Sequence, residues 1–409
     1  MNKVVVIGGG AAGMMAAIRA AECGADVRLI EPNEKLGKKL NITGKGRCNV
    51  TNDTDLDGLM QNIPCNGRFL YSAFSQWMPG DTMAFFEAEG VPLKVERGNR
   101  VFPVSDSAFD ISDALKRRLK RGKVEWVHDR AAEIVTNDGA VRAVRGEKEN
   151  YPCDAAILAT GGVSYPMTGS TGDGYRMARE VGHTIIEPKG SLVPLVSPDG
   201  DCAAMQGLSL KNVELTAYNK KNKVVYREFG EMLFTHFGVS GPLVLSLSAH
   251  LRNWDKESYR LSVDLKPALD EQKLDARILR DIAGSPNRDF EKIVAGLVHR
   301  SMVPVVLRRL GIPGTLKANS VTKEQRRGLV QLLKRFEVSV SGPRGVEEAI
   351  VTSGGVKVSE VEPQTMASKR VKGLYFAGEV LDVDAYTGGF NLQIAWATGH
   401  LAGQSAAER

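Results

Sequence analysis

The chain has 409 residues, about two to three times the length of an ordinary domain, so more than one hydrophobic core is expected. Hydrophobic residues make up 43% and charged residues 25%, as in soluble globular proteins, and no apolar run approaches the roughly 20 residues that cross a bilayer. The net charge of +6 is modest and the basic residues are spread out, so a membrane protein is excluded and nucleic-acid binding is not indicated.

The cysteine pattern indicates a cytoplasmic protein. Five cysteines are an odd number without a C-x-x-C pair, which argues against a disulfide framework and a zinc site, and the six histidines are scattered singly. The N-terminal apolar stretch is interrupted by glycines and reads as strand, turn and helix instead of a signal peptide. We predict no metal site.

The first predicted elements form a βαβ unit. A β-branched run at Lys3–Ile7 is followed by GGGAAG at residues 8–13, an alanine-rich helix to about residue 23, and a second strand at Asp26–Ile30 that ends at Glu31. This is the strand, G-x-G-x-x-G and helix arrangement that binds dinucleotides, with an acidic residue eighteen positions beyond Gly13. The alternative is a tight turn in an unrelated α/β protein.

Each position of this unit has a physical reason. Gly8 makes the tight turn, Gly10 admits a pyrophosphate, and Gly13 lets the helix pack close to the strand. The unpaired N–H groups of the first helical turn, around Ala12, face the phosphates. The Glu31 carboxylate would accept hydrogen bonds from an adenosine ribose.

The next segment favours FAD over NAD. Residues 37–52, GKKLNITGKGRCNVTN, are polar and glycine-punctuated and lack the apolar helix that an NAD-binding repeat supplies. Lys38, Lys39 and Arg47 could meet phosphate charge, and Gly44 would let the chain pass close to an isoalloxazine ring. The alternative is a basic surface loop with Arg47 solvated.

Two further glycine clusters follow predicted strands. A strand at residues 154–160 ends at Thr160 and Gly161, and a loop at 169–174 opens a helix at 175–181. Near the C-terminus, a strand at 373–377 ends at Gly378 and Glu379. We therefore predict that the two ends of the chain share one cofactor site.

The last predicted helix, residues 392–407, follows Gly388, Gly389 and Asn391. Its N-terminus would carry about half a unit of positive charge, which favours the negative charge that builds on a flavin during reduction. The glycine pair favours this interpretation over an ordinary amphipathic C-terminal helix, because packing alone gives little reason for it.

The motifs GGGAAG, TGKGRCN, ATGG, TGDG and AGEVLDVDAYTGGFNLQIAWATG resemble those of two-dinucleotide-binding-domain flavoproteins. With FTHFGVSGP and TSGGV, the chain is similar to the bacterial family that contains aminoacetone oxidases and BaiN-type bile-acid (3-dehydro-bile acid) reductases. The resemblance spans nearly the whole chain and implies that Glu379 holds the FAD ribityl chain or pyrophosphate. It also implies that the Asn391 and Leu392 amides point at the flavin pyrimidine. Lys45 departs from the family, where glycine is expected.

The dinucleotide pattern stops between about residues 190 and 340. Residues 191–269 carry short β-rich runs that suggest an antiparallel sheet or barrel. Residues 270–335 look helical, at 275–281, 290–310 and 322–336. Residues 336–342 return to strand. We predict an α/β protein whose Rossmann-like FAD-binding domain, residues 1–190 and 343–409, is interrupted by an antiparallel β domain, residues 191–269 and 336–342. That domain would carry a small helical subdomain, residues 270–335.

Candidates for chemistry beyond FAD are few. His236 lies in the glycine-rich stretch LFTHFGVSGP and is a candidate proton donor or substrate contact, with Tyr386 and Tyr165 as rivals. Cys48 is next to Arg47 but has no partner cysteine, so we interpret it as a small buried residue.

We therefore predict an FAD-dependent oxidoreductase that transfers hydride between flavin N5 and a small or medium organic substrate. The resemblance implies amine oxidation or reduction of a conjugated steroid enone. No second G-x-G-x-x-G follows a predicted strand, so NAD(P)H, if used, would bind transiently at the flavin face, and oxygen or another carrier is the alternative. One alternative is a flavoprotein that acts on RNA, and the candidate surface for it is basic: Arg300, Arg308, Arg309, Arg326, Arg327, Lys334 and Arg335. Another alternative is a flavin binder without turnover.

Overall fold

The computed structural model describes residues 1–251, 254 and 256–408. The chain forms two compact units. The first unit consists of Met1–Ser191 and the C-terminal segment from Gly345, and the second unit is Leu192–Arg344. None of the helices in the described part of the chain is long and apolar enough to span a membrane.

The strands are short, apart from one long hairpin. In chain order they are β1 Lys3–Ile7, β2 Asp26–Ile30, β3 Thr51–Asn52, β4 Leu93–Glu96, β5 Arg100–Pro103, β6 Glu125–Val127, β7 Ala131–Asn137, β8 Ala140–Gly146, β9 Asn150–Pro152, β10 Ala155–Leu158, β11 Ile185–Ser191, β12 Leu195–Val196, β13 Ser209–Asn219, β14 Val224–Thr235, β15 Gly238–Ser240, β16 Tyr259–Asp264, β17 Phe336–Val340, β18 Gly342–Pro343, β19 Val351–Val356 and β20 Leu374–Phe376.

Both units contain α-helices. They are α1 Ala11–Glu22, α2 Leu56–Gln61, α3 Tyr71–Gln76, α4 Pro79–Ala88, α5 Ala108–Arg121, α6 Asp173–Glu180, α7 Gly200–Ala204, α8 Pro242–Ser248, α9 Glu271–Ala283, α10 Phe290–Ala295, α11 Val303–Leu310, α12 Lys323–Lys334 and α13 Phe390–Ala407.

The first unit is built on a parallel sheet of five strands in the order β20-β10-β1-β2-β6. Every neighbouring pair is parallel, so the carboxyl ends of all five strands meet at one edge. The sheet is central, with Val4, Val6 and Leu158 fully or almost fully buried, as expected for a parallel sheet covered on both faces. This arrangement confirms the predicted Rossmann-like class.

The second unit contains an antiparallel sheet in the order β17-β16-β13-β14-β15-β12-β18. Only Ser341 separates β17 from β18, although these strands lie at the two ends of the order, so the sheet curls and closes through this segment. The predicted antiparallel sheet or barrel is confirmed. Helices α9 to α12 share one hydrophobic core with the sheet through residues such as Leu274, Phe290 and Leu333. Their assignment to a separate subdomain stays a prediction, as do the predicted domain boundaries.

One predicted helix is wrong. The expected continuous helix at residues 290–310 ends at Ala295 and resumes at Val303, after a short 3-10 turn at Arg300–Met302. Gly296 follows α10 directly, and glycine terminates helices readily because it loses more entropy than other residues when it is fixed.

Candidate functional site

The carboxyl edge of the parallel sheet carries the predicted cofactor motifs. β1 runs into Gly8, β2 into Glu31, β10 through Ala159 into Thr160, and β20 through Ala377 into Gly378. Because parallel strands end at the same edge, these residues from both ends of the chain lie together. This is the edge at which open α/β sheets bind ligands.

The glycines of the first turn have different surroundings. A Cβ on Gly13 would lie 1.8 Å from the Gly8 carbonyl oxygen, so Gly13 is required for close packing of α1 on the turn. A Cβ on Gly10 would meet nothing within 4 Å, so the space beside the α1 N-terminus is open. No side chain caps this helix and its first turn carries no acidic residue, so its orphan N–H groups face open space that suits a phosphate.

Glu31 is 8% exposed and fixes the loop around it. Its Oε2 accepts from Gly9 N at 2.7 Å, and its Oε1 accepts from Asn33 N at 2.9 Å and Asn33 Nδ2 at 2.6 Å. Asn33 Nδ2 also donates to Thr168 O at 3.1 Å, which ties this loop to the segment after β10. The carboxylate therefore lies beside the glycine turn, where the ribose contact was predicted.

Lys39 and Glu379 form an ion pair that the sequence did not suggest. Lys39 Nζ lies 2.8 Å from Glu379 Oε2 and donates to Ser164 Oγ at 2.6 Å, and Thr352 N donates to Glu379 Oε1 at 2.7 Å. Burial would raise the pKa of the Glu379 carboxyl, but the Lys39 charge and these hydrogen bonds outweigh burial and hold that pKa below its usual range. The pair thus joins the two predicted cofactor segments.

α13 packs in parallel against α1 through small residues. A Cβ on Gly399 would lie 2.5 Å from Ala12 O, and one on Gly403 would lie 2.3 Å from Ala16 O. Ala12 is the second residue of α1 and Gly399 the tenth of α13. At 1.5 Å per residue, α13 therefore begins about 12 Å ahead of α1 along the shared direction. Two uncapped helix N-termini are thus offset by about 12 Å along the direction of the helices.

The residues before α13 are explained mainly by packing. Gly389 has φ of 101°, and a Cβ there would lie 2.3 Å from Thr51 O in β3. The Asn391 side chain accepts from Ala385 N at 2.9 Å and donates to Ala385 O at 2.8 Å, so it holds the preceding loop. Packing therefore does explain Gly389, and the expectation that it gives little reason for the pair Gly388 and Gly389 is wrong at this position. The predicted contacts of the Asn391 and Leu392 amides with the flavin stay predictions.

The donor set fits FAD. The uncapped N-termini of α1 and α13 and the open space at Gly10 suit an anionic, extended dinucleotide. Thr160 Oγ1, Asn41 Oδ1 and Asn49 Oδ1 are sealed from solvent without a hydrogen-bond partner among the described residues, and a polar ligand would satisfy such groups. Gly161, with φ of 73°, turns the chain away from β10 beside Glu379.

The loop at residues 37–52 contains both expected and unexpected features. Gly44, Lys45 and Gly46 all have positive φ, at 57°, 61° and 83°, so a non-glycine residue at position 45 is strained and the glycine expected from the family has a conformational reason. Cys48 is fully buried, and burial raises the pKa of its thiol to about 12, which supports its interpretation as a packing residue.

Of the basic residues in this loop, Arg47 has partners in the protein and Lys38 is exposed to solvent. Arg47 stacks 4.2 Å from the Phe102 ring centroid and forms ion pairs with Glu96 and Asp106. Its guanidinium therefore has acidic partners in the protein and is not simply solvated. Lys38 is exposed, with Nζ 3.5 Å from Asn33 Oδ1. The predicted phosphate contacts of Lys38 and Arg47 stay predictions.

The catalytic candidates lie in different units. Tyr386 is half-buried next to the start of α13, and its N–H donates to Asn62 O at 2.9 Å. Tyr165 is half-buried with φ of 51°. His236 is in the second unit, exposed at the two-residue turn between β14 and β15, with its ring 5.0 Å from that of Phe237.

Sequence reasoning missed Ser164, Thr352 and Asn33. Thr352 Oγ1 accepts from Val163 N at 2.8 Å, and Ser164 Oγ donates to Glu379 Oε1 at 3.1 Å. The motif TSGGV contains Thr352, but nothing in the sequence indicates that β19 reaches the loop after β10.

Comparison with known proteins agrees with this geometry. Residues 2–405 match the family model described as HI0933-like protein Rossmann domain. The chain is 32% identical over 414 residues, 100% of both chains, to the 3-dehydro-bile acid delta(4,6)-reductase of Clostridium scindens. It is 30% identical over 412 residues, 99% of this chain and 98% of the relative, to the ribosomal RNA dihydrouridine synthase of Haemophilus influenzae. The 3-ketosteroid-delta4-(5alpha)-dehydrogenase of Rhodococcus jostii has a similar fold, with TM-score 0.50, 16% identity, and coverage of 100% of this chain and 97% of that chain.

The fold and the site define an FAD-dependent oxidoreductase. The chain belongs to the HI0933-like family, which confirms the resemblance derived from the motifs.

Proposed function

We propose that the protein reduces a carbon–carbon double bond conjugated with a carbonyl group. The observation that carries this proposal is that two relatives with different substrates are named for one kind of reaction. The Δ4 and Δ6 bonds of a 3-dehydro-bile acid are conjugated with its 3-oxo group. Dihydrouridine is uridine whose C5–C6 double bond, conjugated with the C4 carbonyl, has been reduced. Neither relative is named for amine oxidation, which therefore has less support.

The residues at the sheet edge would hold the cofactor. We propose that Glu31 binds the adenosine ribose, that the α1 N-terminus faces the pyrophosphate, and that the Lys39–Glu379 pair lies along the ribityl chain. Gly161 and Gly378 would leave room beside it. Bound FAD would supply hydride chemistry at N5 of its ring.

The chain also has to stabilise charge on the ring. The N-terminus of α13 carries about half a unit of positive charge, and no acidic residue lies in its first turn. Directed at the pyrimidine end of the isoalloxazine, the Asn391 and Leu392 amides would stabilise the anionic reduced cofactor. NAD(P)H is the proposed source of reducing equivalents.

Conjugate reduction also needs a proton at the carbon next to the carbonyl. Tyr386 and His236 are the proposed donors. His236→Ala should leave FAD content and the flavin spectrum unchanged and lower turnover by ~10²- to 10⁴-fold if His236 acts as general acid. Tyr386→Phe is the matched test in the first unit. FAD loss in His236→Ala would make this residue structural, and full activity in both variants would remove both from the mechanism.

The proposed reaction can be tested by anaerobic flavin spectroscopy. NADH and NADPH are first compared for bleaching of the bound flavin, and the reduced protein is then mixed with a 3-oxo-4,6-diene steroid, the corresponding saturated ketone or a primary amine. The proposal requires reoxidation by the conjugated dienone and none by the saturated ketone. Bleaching of the oxidised protein by amines alone would support amine oxidation instead.

A second candidate is the same reduction of a uracil base in RNA, which the names of the Haemophilus influenzae and Escherichia coli relatives favour. Five of the seven basic residues proposed as an RNA surface already have acidic partners: Arg308 and Arg309 with Asp201, Arg326 with Asp275, Lys334 with Asp264, and Arg335 with Glu271. This pairing makes the surface less suited to phosphate. Dihydrouridine in ribosomal RNA that disappears on deletion of the gene would establish the RNA function.

A further inference from the structure

The first unit contains a cavity beside α1 and α13. Its volume is about 300 Å³, and it is lined by Met15 and Ile18 of α1, Phe85 of α4, Trp77 and His400. The rings of Trp77 and His400 lie 4.4 Å apart at 30°, and Trp77 meets Phe85 edge-on at 6.1 Å. The cavity therefore has an apolar floor and an aromatic wall.

The charged groups around this cavity are already paired. Arg118 lies 2.6 Å from Glu22 and 3.3 Å from Glu89. Arg19 donates to Gln404 Oε1 at 2.8 Å, and Asp81 accepts from Met78 N at 2.7 Å. A charged ligand would have to compete with these contacts.

Two further polar side chains line the cavity. Trp77 Nε1 donates to Thr82 Oγ1 at 2.8 Å. His400 is different, because it is 9% exposed and its Nδ1 is sealed without a hydrogen-bond partner among the described residues. Such a group normally has a partner, so it marks a missing hydrogen bond.

We propose that this cavity binds a small, flat, uncharged aromatic or heteroaromatic molecule that stacks against Trp77 and donates a hydrogen bond to the imidazole of His400. The occupant is uncharged because the charged side chains around the cavity already have hydrogen-bond or ion-pair partners in the protein. It is flat and aromatic because the wall is built from rings, which prefer offset or edge contacts with other rings.

The cavity is separate from the proposed cofactor site. Its α1 residues lie between Met15 and Glu22, beyond the first turn of that helix, whereas the phosphate site is at the helix N-terminus. No residue proposed to hold FAD lines it. The inference does not rest on the proposed reaction, and it assigns a second small-molecule site to the same two helices.

The test uses the FAD-loaded protein and two probes of equal shape. Indole has an N–H donor, whereas benzofuran has an oxygen in its place. We expect saturable indole binding by calorimetry with one site, and benzofuran affinity about five- to tenfold lower, the effect of one lost hydrogen bond. His400→Phe keeps a ring on Trp77 and should make the two probes bind equally. The flavin spectrum should not change on binding.

A second series avoids buried residues. Ala88 is exposed at the rim of the cavity, and Ala88→Leu should lower the affinity for both probes at least tenfold. Ala204→Leu, on an exposed alanine of α7 in the other unit, should bind both probes as the wild type does. Absence of saturable binding, equal wild-type affinities, or full binding by Ala88→Leu would each overturn the proposal, even if His400→Phe does not fold.

Discussion

Acidification from pH 7 to pH 5 should destabilise the first unit through His400. This side chain is 9% exposed on α13, and burial, with a smaller effect of the Arg19 charge, lowers its pKa from 6.5 to about 4. The unfolded chain therefore binds a proton between these values and the folded chain does not. Stability is fully present above pH 6.5 and is lost as the pH falls towards 4.

The size of the loss follows from these two pKa values. With 6.5 in the unfolded chain and about 4 in the folded one, linkage gives a loss of about 2 kcal/mol in the free energy of unfolding between pH 7 and pH 5. His183 also has its pKa lowered, mainly by burial, and adds to the total. The contribution of His400 is isolated by comparing the wild type with His400→Phe, because His183 is common to both.

The assay is urea unfolding followed by tryptophan fluorescence in a Trp254→Phe background, which leaves tryptophans in the first unit only. His400→Phe should lose about 2 kcal/mol less than its parent between the two pH values. Ile18→Val, a buried change at the same cavity, should lower stability equally at both. An equal pH dependence in His400→Phe and its parent would refute the argument.

Three other predictions concern the cofactor site. Glu31→Ala should weaken FAD binding about 10- to 100-fold by removing charge-assisted hydrogen bonds. Glu34→Ala, a change at an exposed position, is the control. Unchanged affinity in Glu31→Ala would mean that the ribose is held elsewhere. Gly10→Ala should fold normally but lose FAD affinity at least tenfold. Gly13→Ala should instead lose more than about 2 kcal/mol of stability, because its Cβ meets the Gly8 carbonyl. Equal melting temperatures of the two variants would contradict this contrast. Lys45→Gly should raise the free energy of unfolding by about 0.5–1 kcal/mol by relieving a φ of 61°, and a lower urea midpoint would show that the side chain contributes more than the strain costs.

The sequence predicted both strands of the first βαβ unit to the residue. Lys3–Ile7 and Asp26–Ile30 are strands with the expected bounds, because β-branched runs between glycines have few alternatives. The approach of the two chain ends was also predictable, since strands that end in glycine clusters join one parallel sheet. Strands β10 and β20 are shorter at both ends than expected.

Long-range side-chain pairs could not be predicted. Lys39 and Glu379 are 340 positions apart, and a sequence gives no sign that a lysine expected to meet phosphate has a carboxylate partner. Arg47 likewise has partners in β4 and after β5 that no motif connects to it. Local patterns determine strands and turns, whereas charge partners depend on the tertiary fold.

The junction between the units explains how a cofactor domain can carry a large insertion. β11 leads out of the first unit and β19 returns to it, and the two strands pair antiparallel with Ser191 opposite Val351. The ends of the insertion are therefore adjacent, so its length adds little to the entropic cost of closing the first unit. The returning strand also carries Thr352, whose N–H holds Glu379. A change within Leu192–Arg344 should thus leave the cofactor residues of the first unit in place, provided that the pairing of β11 with β19 is kept.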